Sequence, residues 1–590
     1  MPMPDTTNLN LLWTSLLVEE LVRLGIRHFC LSPGSRSAPL AVALARQAGV
    51  KVLIAYDERA AAFYALGCAR ATAEPTVLVC TSGTALAHYL PALIEASQDQ
   101  VPMLILSADR PPELLDAGAN QAIRQDGLYG NYVRWQLNLP CPSSEIPPQW
   151  LLTTVDQAHH RALHPIPGPV HLNLAFREPL DPVNQSIPDD YLKPIQTWLG
   201  QDRPYTHIST SAAIGIDDQL LDSVIELIQQ TQTGLLILGR LHGSAREAVI
   251  PLANSLGWPV FADVLSDLSL NADLMNLVPH YDQLLADKSF AAACRPETVI
   301  QFGGNFVSGR LLKHLAAHPP RAYVHLTQRP ERLDPNHQVS LRLCGDLAAF
   351  CADLILYLDP DLAVEPAWTA ELKQMAGQAG QVYAELDQQT DLSEPGVARL
   401  LTRLTPAQHT LMLGNSLPVR EVDGFAAPRL TPMHVFGNRG TSGIDGHVAT
   451  AAGYAEGSQA PLTLLCGDLT LFHDLNSLHL LSRIDTPVIV VVINNGGGGI
   501  FSFLPIAAHT ELFEPWFGTP HSLDFAHAAR QFGLPYFAPS SQPELATCYL
   551  SCLQAQVPAL IEVRTQREQT LALHRNLQQK VTERLRHTGP

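Results

Sequence analysis

The residues best placed to do chemistry are Gly467-Asp468, followed 27 positions later by Asn494-Asn495. Asp468 follows one apolar run, residues 462–466, and Asn495 follows another, 488–493. If both runs are strands of one parallel sheet, these side chains meet outside its carboxyl edge, where open α/β sheets bind ligands. A carboxylate and an amide oxygen are hard ligands suited to Mg²⁺, which completes its octahedron with water and phosphate oxygens. The glycine run 496–499 leaves backbone groups open to a closely approaching phosphate. Humbler roles fit the same residues: Asp468 as a helix cap and Asn494-Asn495-Gly496 as a turn. Glu58 is a second candidate. It lies between a strand-like run, 52–55, and a helical pattern, 60–70. A carboxyl group there can do acid–base work, or simply favour a helix N-terminus.

These side chains need a scaffold, and the hydrophobic patterning supplies one. Strand-like runs at 76–80, 103–106, 234–238, 298–302, 462–466 and 488–493 alternate with helical patterns at 11–24, 60–70, 245–256 and 546–556. That alternation predicts βαβ units and parallel sheets. Two polar stretches, 181–211 and 358–394, interrupt it and read as linkers or domain edges. Three domains are expected, over 1–185, 205–358 and 390–590. The first and last resemble each other. A shift of 386 positions carries Ala65, Gly67, Ala69, Pro75, Leu78 and Cys80 onto Ala451, Gly453, Ala455, Pro461, Leu464 and Cys466. The elements around them follow in the same order, which favours duplication. The middle part also reads as Rossmann-like, with Gly239, Gly243, Gly303 and Gly304 at strand ends. It has no GxGxxG followed by an acidic residue, so no dinucleotide is expected there.

Composition narrows the partners. The 590 residues carry a formal charge of −18, which argues against nucleic acid and anionic membranes. Charged residues are only 16%, so burial against a second copy is expected. The longest apolar run, near 487–493, is far below the ~20 residues of a membrane helix. The start, MPMPDTTNLN, has no basic segment followed by an apolar one. Ten cysteines without a CxxC read as reduced core residues of a cytoplasmic protein.

The GD and NN pairs at this spacing resemble the diphosphate-and-metal motif of thiamine-diphosphate-dependent enzymes. That resemblance implies an α/β fold of three Rossmann-like parallel-sheet domains. The N-terminal domain would bind the cofactor's pyrimidine and the related C-terminal domain its pyrophosphate. Asp468, Asn495 and the Gly497 carbonyl would hold Mg²⁺ or Mn²⁺, with Gly467 and Thr470 beside the phosphates. Leu469 stands where glycine is usual. Glu58 would hydrogen-bond a pyrimidine nitrogen, and Ile444 would lie beneath the cofactor.

Longer segments narrow the resemblance: 31–37 (LSPGSRS), 107–114 (SADRPPEL), 118–125 (GANQAIRQ), 413–420 (LGNSLPVR), 438–446 (NRGTSGIDG) and 500–505 (IFSFLP). They are similar to the 2-succinyl-5-enolpyruvyl-6-hydroxy-3-cyclohexene-1-carboxylate (SEPHCHC) synthase family of menaquinone and phylloquinone biosynthesis. That family decarboxylates 2-oxoglutarate and adds the remaining four-carbon unit to isochorismate in a 1,4 sense. Both substrates are dianions, for which arginine forks are suited. The matching positions are Arg36, Arg110, Arg310, Arg420 and Arg439, helped by Ser35, Gln121 and Ser416. The catalytic group would be Glu58, Gln121, Arg36, Arg420 and Arg439. Ile500, Phe501 and Leu504 would wall off water. Gly309 stands where the family often has lysine. His447, His473 and His479 are assigned to structure or surface. The family also implies a homodimer or homotetramer whose sites draw on two chains. Two other readings remain: a different thiamine-diphosphate 2-oxoacid decarboxylase or acetohydroxyacid-synthase-like carboligase, and a non-catalytic binding module.

Overall fold

The structure, a computed structural model, describes residues 4–208, 218–358 and 366–586. Positions 1–3, 209–211 and 359–365, which the sequence reading includes in its N-terminal and polar stretches, lie outside the described residues. Two compact units form. The first comprises Met1–Thr210, Asn438–Ala460 and Leu471–Val488, and the second the rest of the chain.

The first unit is built on a six-stranded sheet: β1 (His28–Leu31), β2 (Lys51–Ile54), β3 (Thr76–Cys80), β4 (Met103–Asp109), β5 (Trp135–Leu139) and β6 (Pro169–Ala175). Its order is β2-β1-β3-β4-β6-β5, and the paired strands run parallel. The second unit holds two sheets. One comprises β7 (Gly234–Leu238), β8 (Val260–Ala262), β9 (Thr298–Phe302), β10 (Ala322–Thr327) and β11 (Leu341–Cys344), ordered β11-β10-β9-β7-β8. The other comprises β12 (Thr410–Leu413), β13 (Val435–Phe436), β14 (Leu462–Gly467), β15 (Val488–Asn494), β16 (Tyr536–Phe537) and β17 (Ala559–Arg564). Its order is β13-β12-β14-β15-β17-β16. Every residue of β3, β4 and β15 is buried, as expected for central parallel strands covered on both faces.

The first and third sheets have the same topology: six strands taken in the same order of sequence. The expected duplication is therefore visible in the fold, with β3 matching β14 and β4 matching β15. Within the first unit the repeated helices Glu58–Thr72 and His447–Ser458 pack together. A Cβ on Gly67 would stand 2.1 Å from the Thr450 carbonyl oxygen, and one on Gly453 would stand 1.9 Å from that of Tyr64. The 386-position shift turns Tyr64 into Thr450 and Gly67 into Gly453, so the contact is related to itself by a local two-fold.

One expectation needs correction. The stretch 358–394 is not simply a linker: it contains the 18-residue helix Ala367–Ala384. Leu372, Ala376, Ala379 and Tyr383 recur at helical spacing and are buried with Leu577, Val581 and Leu585 of the helix Arg567–Arg586. Half of that stripe is alanine, too weakly apolar to stand out among the polar residues around it.

Candidate active site

In the second unit β14 ends at Gly467, and Asp468 opens the short helix Asp468–His473. Asp468 is 2% exposed. Its Oδ1 accepts from the Leu469 amide (2.7 Å), and its Oδ2 accepts from the Gly497 amide (3.0 Å) and lies 3.1 Å from His521 Nε2. Burial raises its pKa, against the pull of these amide donors and of His521. The next strand delivers the asparagines, and their environments separate them. The Asn494 amide is committed: Nδ2 donates to Glu562 Oε1 (2.8 Å) and the Leu523 carbonyl (2.9 Å), and Oδ1 accepts from the Gly496 amide. Asn495 donates through Nδ2 to Glu394 Oε1 (3.0 Å), while its Oδ1 is buried without a hydrogen-bond partner. A buried, unsatisfied carbonyl oxygen costs roughly 1–3 kcal/mol, and a cation removes that cost.

Gly497 has φ +141°, and a Cβ there would lie 2.1 Å from the Gly518 carbonyl oxygen. Only glycine lets the chain pass there with its backbone beside Asp468. Thr470, two residues along the helix, is buried. Among the described residues no group of three His, Cys, Asp or Glu side chains could hold a metal. A carboxylate, an amide oxygen and a backbone carbonyl form a different set, and one that fits Mg²⁺ on a diphosphate.

In the first unit Glu58 is the first residue of its helix and half-buried. Asp57 caps that helix, accepting from the Arg59 amide at 3.0 Å and the Ala60 amide at 3.3 Å. Arg36, in the loop after β1, is 8% exposed. Its Nη1 donates to the Phe176 carbonyl (2.9 Å), its Nη2 lies 3.3 Å from Glu178, and its buried Nε has no partner. Burial and the nearby Arg110 charge lower the guanidinium pKa, against the pull of Glu178. Ser35 beside it is exposed. Arg110 follows β4. It donates to Ser82 Oγ (2.5 Å) and the Asn120 carbonyl (2.9 Å). Gln121, at φ +55°, donates to the Ser82 carbonyl (2.9 Å) and is exposed. Arg110 also lines a cavity of about 690 Å³ with Asp109, Gln125 and Asn173. Gln125 Nε2 and Ser107 Oγ both donate to Asn173 Oδ1, at 2.7 and 2.8 Å. His171 lies under Ser107, and burial pushes it down to about 4.

Arg439 and Ile444, both half-buried, lie on the segment before the helix His447–Ser458. Glu95 fixes that segment, accepting from the Gly440 and Thr441 amides (2.7 Å each) and the Thr441 hydroxyl (2.9 Å). In the second unit Arg420 is exposed and donates to the Ser416 carbonyl (2.5 Å). Arg310 is ion-paired with Asp282. A Cβ on Gly309 would meet no atom within 4 Å, so steric crowding does not explain the missing lysine. Ile500 and Phe501, half-buried, lie in the turn Gly499–Phe503, and Leu504, which follows it, is 48% exposed. His447 is buried, His473 is 3.2 Å from Arg59, and His479 stacks on Tyr56.

Family models match the chain in three places. "Thiamine pyrophosphate enzyme, N-terminal TPP binding domain" matches residues 13–128. "Middle domain of thiamine pyrophosphate" matches 189–413, and "Thiamine pyrophosphate enzyme, C-terminal TPP binding domain" matches 424–563. The 2-succinyl-5-enolpyruvyl-6-hydroxy-3-cyclohexene-1-carboxylate synthase of Rubrobacter xylanophilus is 46% identical over 574 residues, 97% of this chain and 98% of the relative. Proteins of the same name from Salinibacter ruber and Chlorobium phaeobacteroides are 44% and 42% identical. Their alignments cover 98% and 97% of this chain and 97% of each relative. The chain belongs to the SEPHCHC synthase family. It is a thiamine-diphosphate enzyme with a cofactor-binding domain at each end.

Sequence reasoning missed the residues that hold these SEPHCHC synthase family positions in place. Glu394, His521, Glu95, Asp282 and Asn173 come from elements remote in sequence from the groups they touch. No local motif marks them, although the chain's low charge makes each buried acid noteworthy.

Proposed function

We propose that the protein decarboxylates 2-oxoglutarate and adds the resulting four-carbon unit to isochorismate, a SEPHCHC synthase step of menaquinone or phylloquinone biosynthesis. The near full-length identity to proteins of that name carries the reading. Bound thiamine diphosphate supplies the carbanion chemistry that a 2-oxoacid needs to lose CO₂. The chain's own residues do the rest. Asp468, Asn495 Oδ1 and the Gly497 carbonyl hold Mg²⁺ or Mn²⁺, and Gly467 and Thr470 line the diphosphate. Glu58 holds a proton against a pyrimidine nitrogen of the cofactor.

Arg36, Arg110, Arg310, Arg420 and Arg439 bind the four carboxylates of the two substrates, with Ser35, Gln121 and Ser416 assisting. The unpartnered Nε of Arg36 supports this reading: a buried guanidinium with an unused donor is set for an anion. Ile500, Phe501 and Leu504 keep water from the reacting carbon, since a proton there would release succinic semialdehyde. Each site would draw Glu58 and Asp468 from two chains of a dimer or tetramer, in the cytoplasm.

The test is an assay with thiamine diphosphate, Mg²⁺ and 2-oxoglutarate, with and without isochorismate. One CO₂ released per isochorismate consumed is the expected result. CO₂ release indifferent to isochorismate would move the protein to the decarboxylases.

A further inference from the structure

Asn495 presents two chemically opposite ends of nearly identical shape. Only its oxygen can hold a cation, and packing alone cannot tell the oxygen from the nitrogen. Something must hold the amide the right way round. We propose that Glu394 is a positioning residue: it captures the Asn495 Nδ2 group and thereby turns Oδ1 toward the divalent cation. This deepens the metal-site reading above and rests on it.

The geometry is specific. Glu394 is the first residue of the helix Glu394–Leu404 and is 3% exposed. Its Oε1 accepts from three donors: Asn495 Nδ2 (3.0 Å), Thr570 Oγ1 (3.1 Å) and Thr565 Oγ1 (3.3 Å). Burial and the nearby Glu421 push the Glu394 carboxyl up to about 7, but Oε1 already accepts from two hydroxyls and has no proton to offer the amide oxygen, so this contact accepts only one orientation of Asn495. The opposite end, Oδ1, is then the buried atom left without a partner. Behind Glu394, Glu421 is held by His574 Nε2 at 2.9 Å, and His574 packs edge-on against Phe425 and Phe503. The acceptor is therefore set in a rigid surround. Groups that orient a metal ligand typically change metal affinity 10–100-fold when removed.

The test titrates Mg²⁺ and reads thiamine-diphosphate binding by intrinsic fluorescence, which requires no turnover. Melting temperature without Mg²⁺ checks the fold. Glu394→Leu is expected to raise the half-saturating Mg²⁺ concentration about 10–100-fold. Asn495→Asp supplies the decisive comparison, because aspartate presents an oxygen whichever way it turns. In the Glu394→Leu background, Asn495→Asp should restore Mg²⁺ affinity. Beside an intact Glu394, it sets two carboxylates together and should weaken binding.

That reversal of sign separates orientation from added charge, which would strengthen binding in both backgrounds. A structural role alone would give no rescue. If Glu394→Leu does not fold, Glu394→Met, of similar length and without the carboxyl acceptor, carries the same comparison with and without Asn495→Asp. Unchanged affinity in a folded Glu394→Leu, or equal effects of Asn495→Asp in both backgrounds, overturns the proposal. Asp468→Asn runs in parallel: if it also leaves the Mg²⁺ requirement unchanged, the metal site itself is wrong. If Asp468→Asn raises that requirement and Glu394→Leu does not, only the positioning role fails.

Discussion

Ser416 shows what one residue can store. It has φ +73° and ψ −126°, a region that a side chain with a Cβ rarely occupies, at the entrance to the helix Leu417–Phe425. Strain of this kind costs about 1–3 kcal/mol and collects at functional positions. Here it aims the Ser416 carbonyl at Arg420. Ser416→Gly relieves the strain but gives back roughly 0.5–1 kcal/mol of unfolded-state entropy. The variant should gain about 1 kcal/mol in urea unfolding and lose about tenfold in kcat/KM, the usual exchange between stability and activity. A variant no more stable and fully active would remove the strain argument. Asp468 and Asn495 were legible in the sequence because strand ends in a parallel sheet are where such side chains gather. The family motif singles out Asn495, but why its Oδ1 and not that of Asn494 is left open was not legible: Glu562 and Glu394, which hold the two amides, lie 68 and 101 residues away.

At the scale of elements, the duplication was legible because buried strands and small helical residues repeat in order. The interlocking of Gly67 and Gly453 was not, since a glycine in a helix gives no sign of what approaches it. Gly453→Ala should force the helices Glu58–Thr72 and His447–Ser458 apart and cost about 3 kcal/mol by thermal unfolding. Because the contact is two-fold, Gly67→Ala should cost about the same; a large asymmetry would deny the local symmetry.

The polar segment after β6 offers a pH prediction. Trp198 Nε1 and the Tyr205 amide donate to Glu20 at 2.6 and 2.5 Å, and the Thr206 amide donates to Asp156 at 2.9 Å. Burial, aided by Asp156, pushes the Glu20 carboxyl up to about 8. An acid protonated in the fold and ionised in the unfolded chain stabilises fully below its ordinary pKa of about 4.5. That stability is lost as pH rises through about 8. Glu20→Gln cannot ionise, so its Tm should fall less between pH 5.5 and 8.5 than that of the unaltered protein. Equal falls would show that Glu20 is ionised in the fold.

At the scale of the whole molecule, three α/β domains followed from alternation and repetition, and the cofactor-binding role of the two end domains from the resemblance to thiamine-diphosphate enzymes. Assembly is a different matter, because a patterned sequence describes its own core and says little about what a second copy covers. Low charge was the only hint from composition; the shared-site oligomer came from the family resemblance. Glu58 lies in one compact unit and Asp468 in the other, and the proposed site takes each from a different chain. That arrangement has an arithmetical consequence. Glu58→Gln and Asp468→Asn should each be inactive alone. In a heterodimer of the two, one site receives both substitutions and the other receives neither. Random re-association of equal amounts makes half the dimers mixed, each with one intact site, so about a quarter of the original activity should return. A site confined to one chain cannot be repaired by mixing. Activity that stays at zero, while mass spectrometry shows mixed dimers, would place Glu58 and Asp468 in the same chain's site.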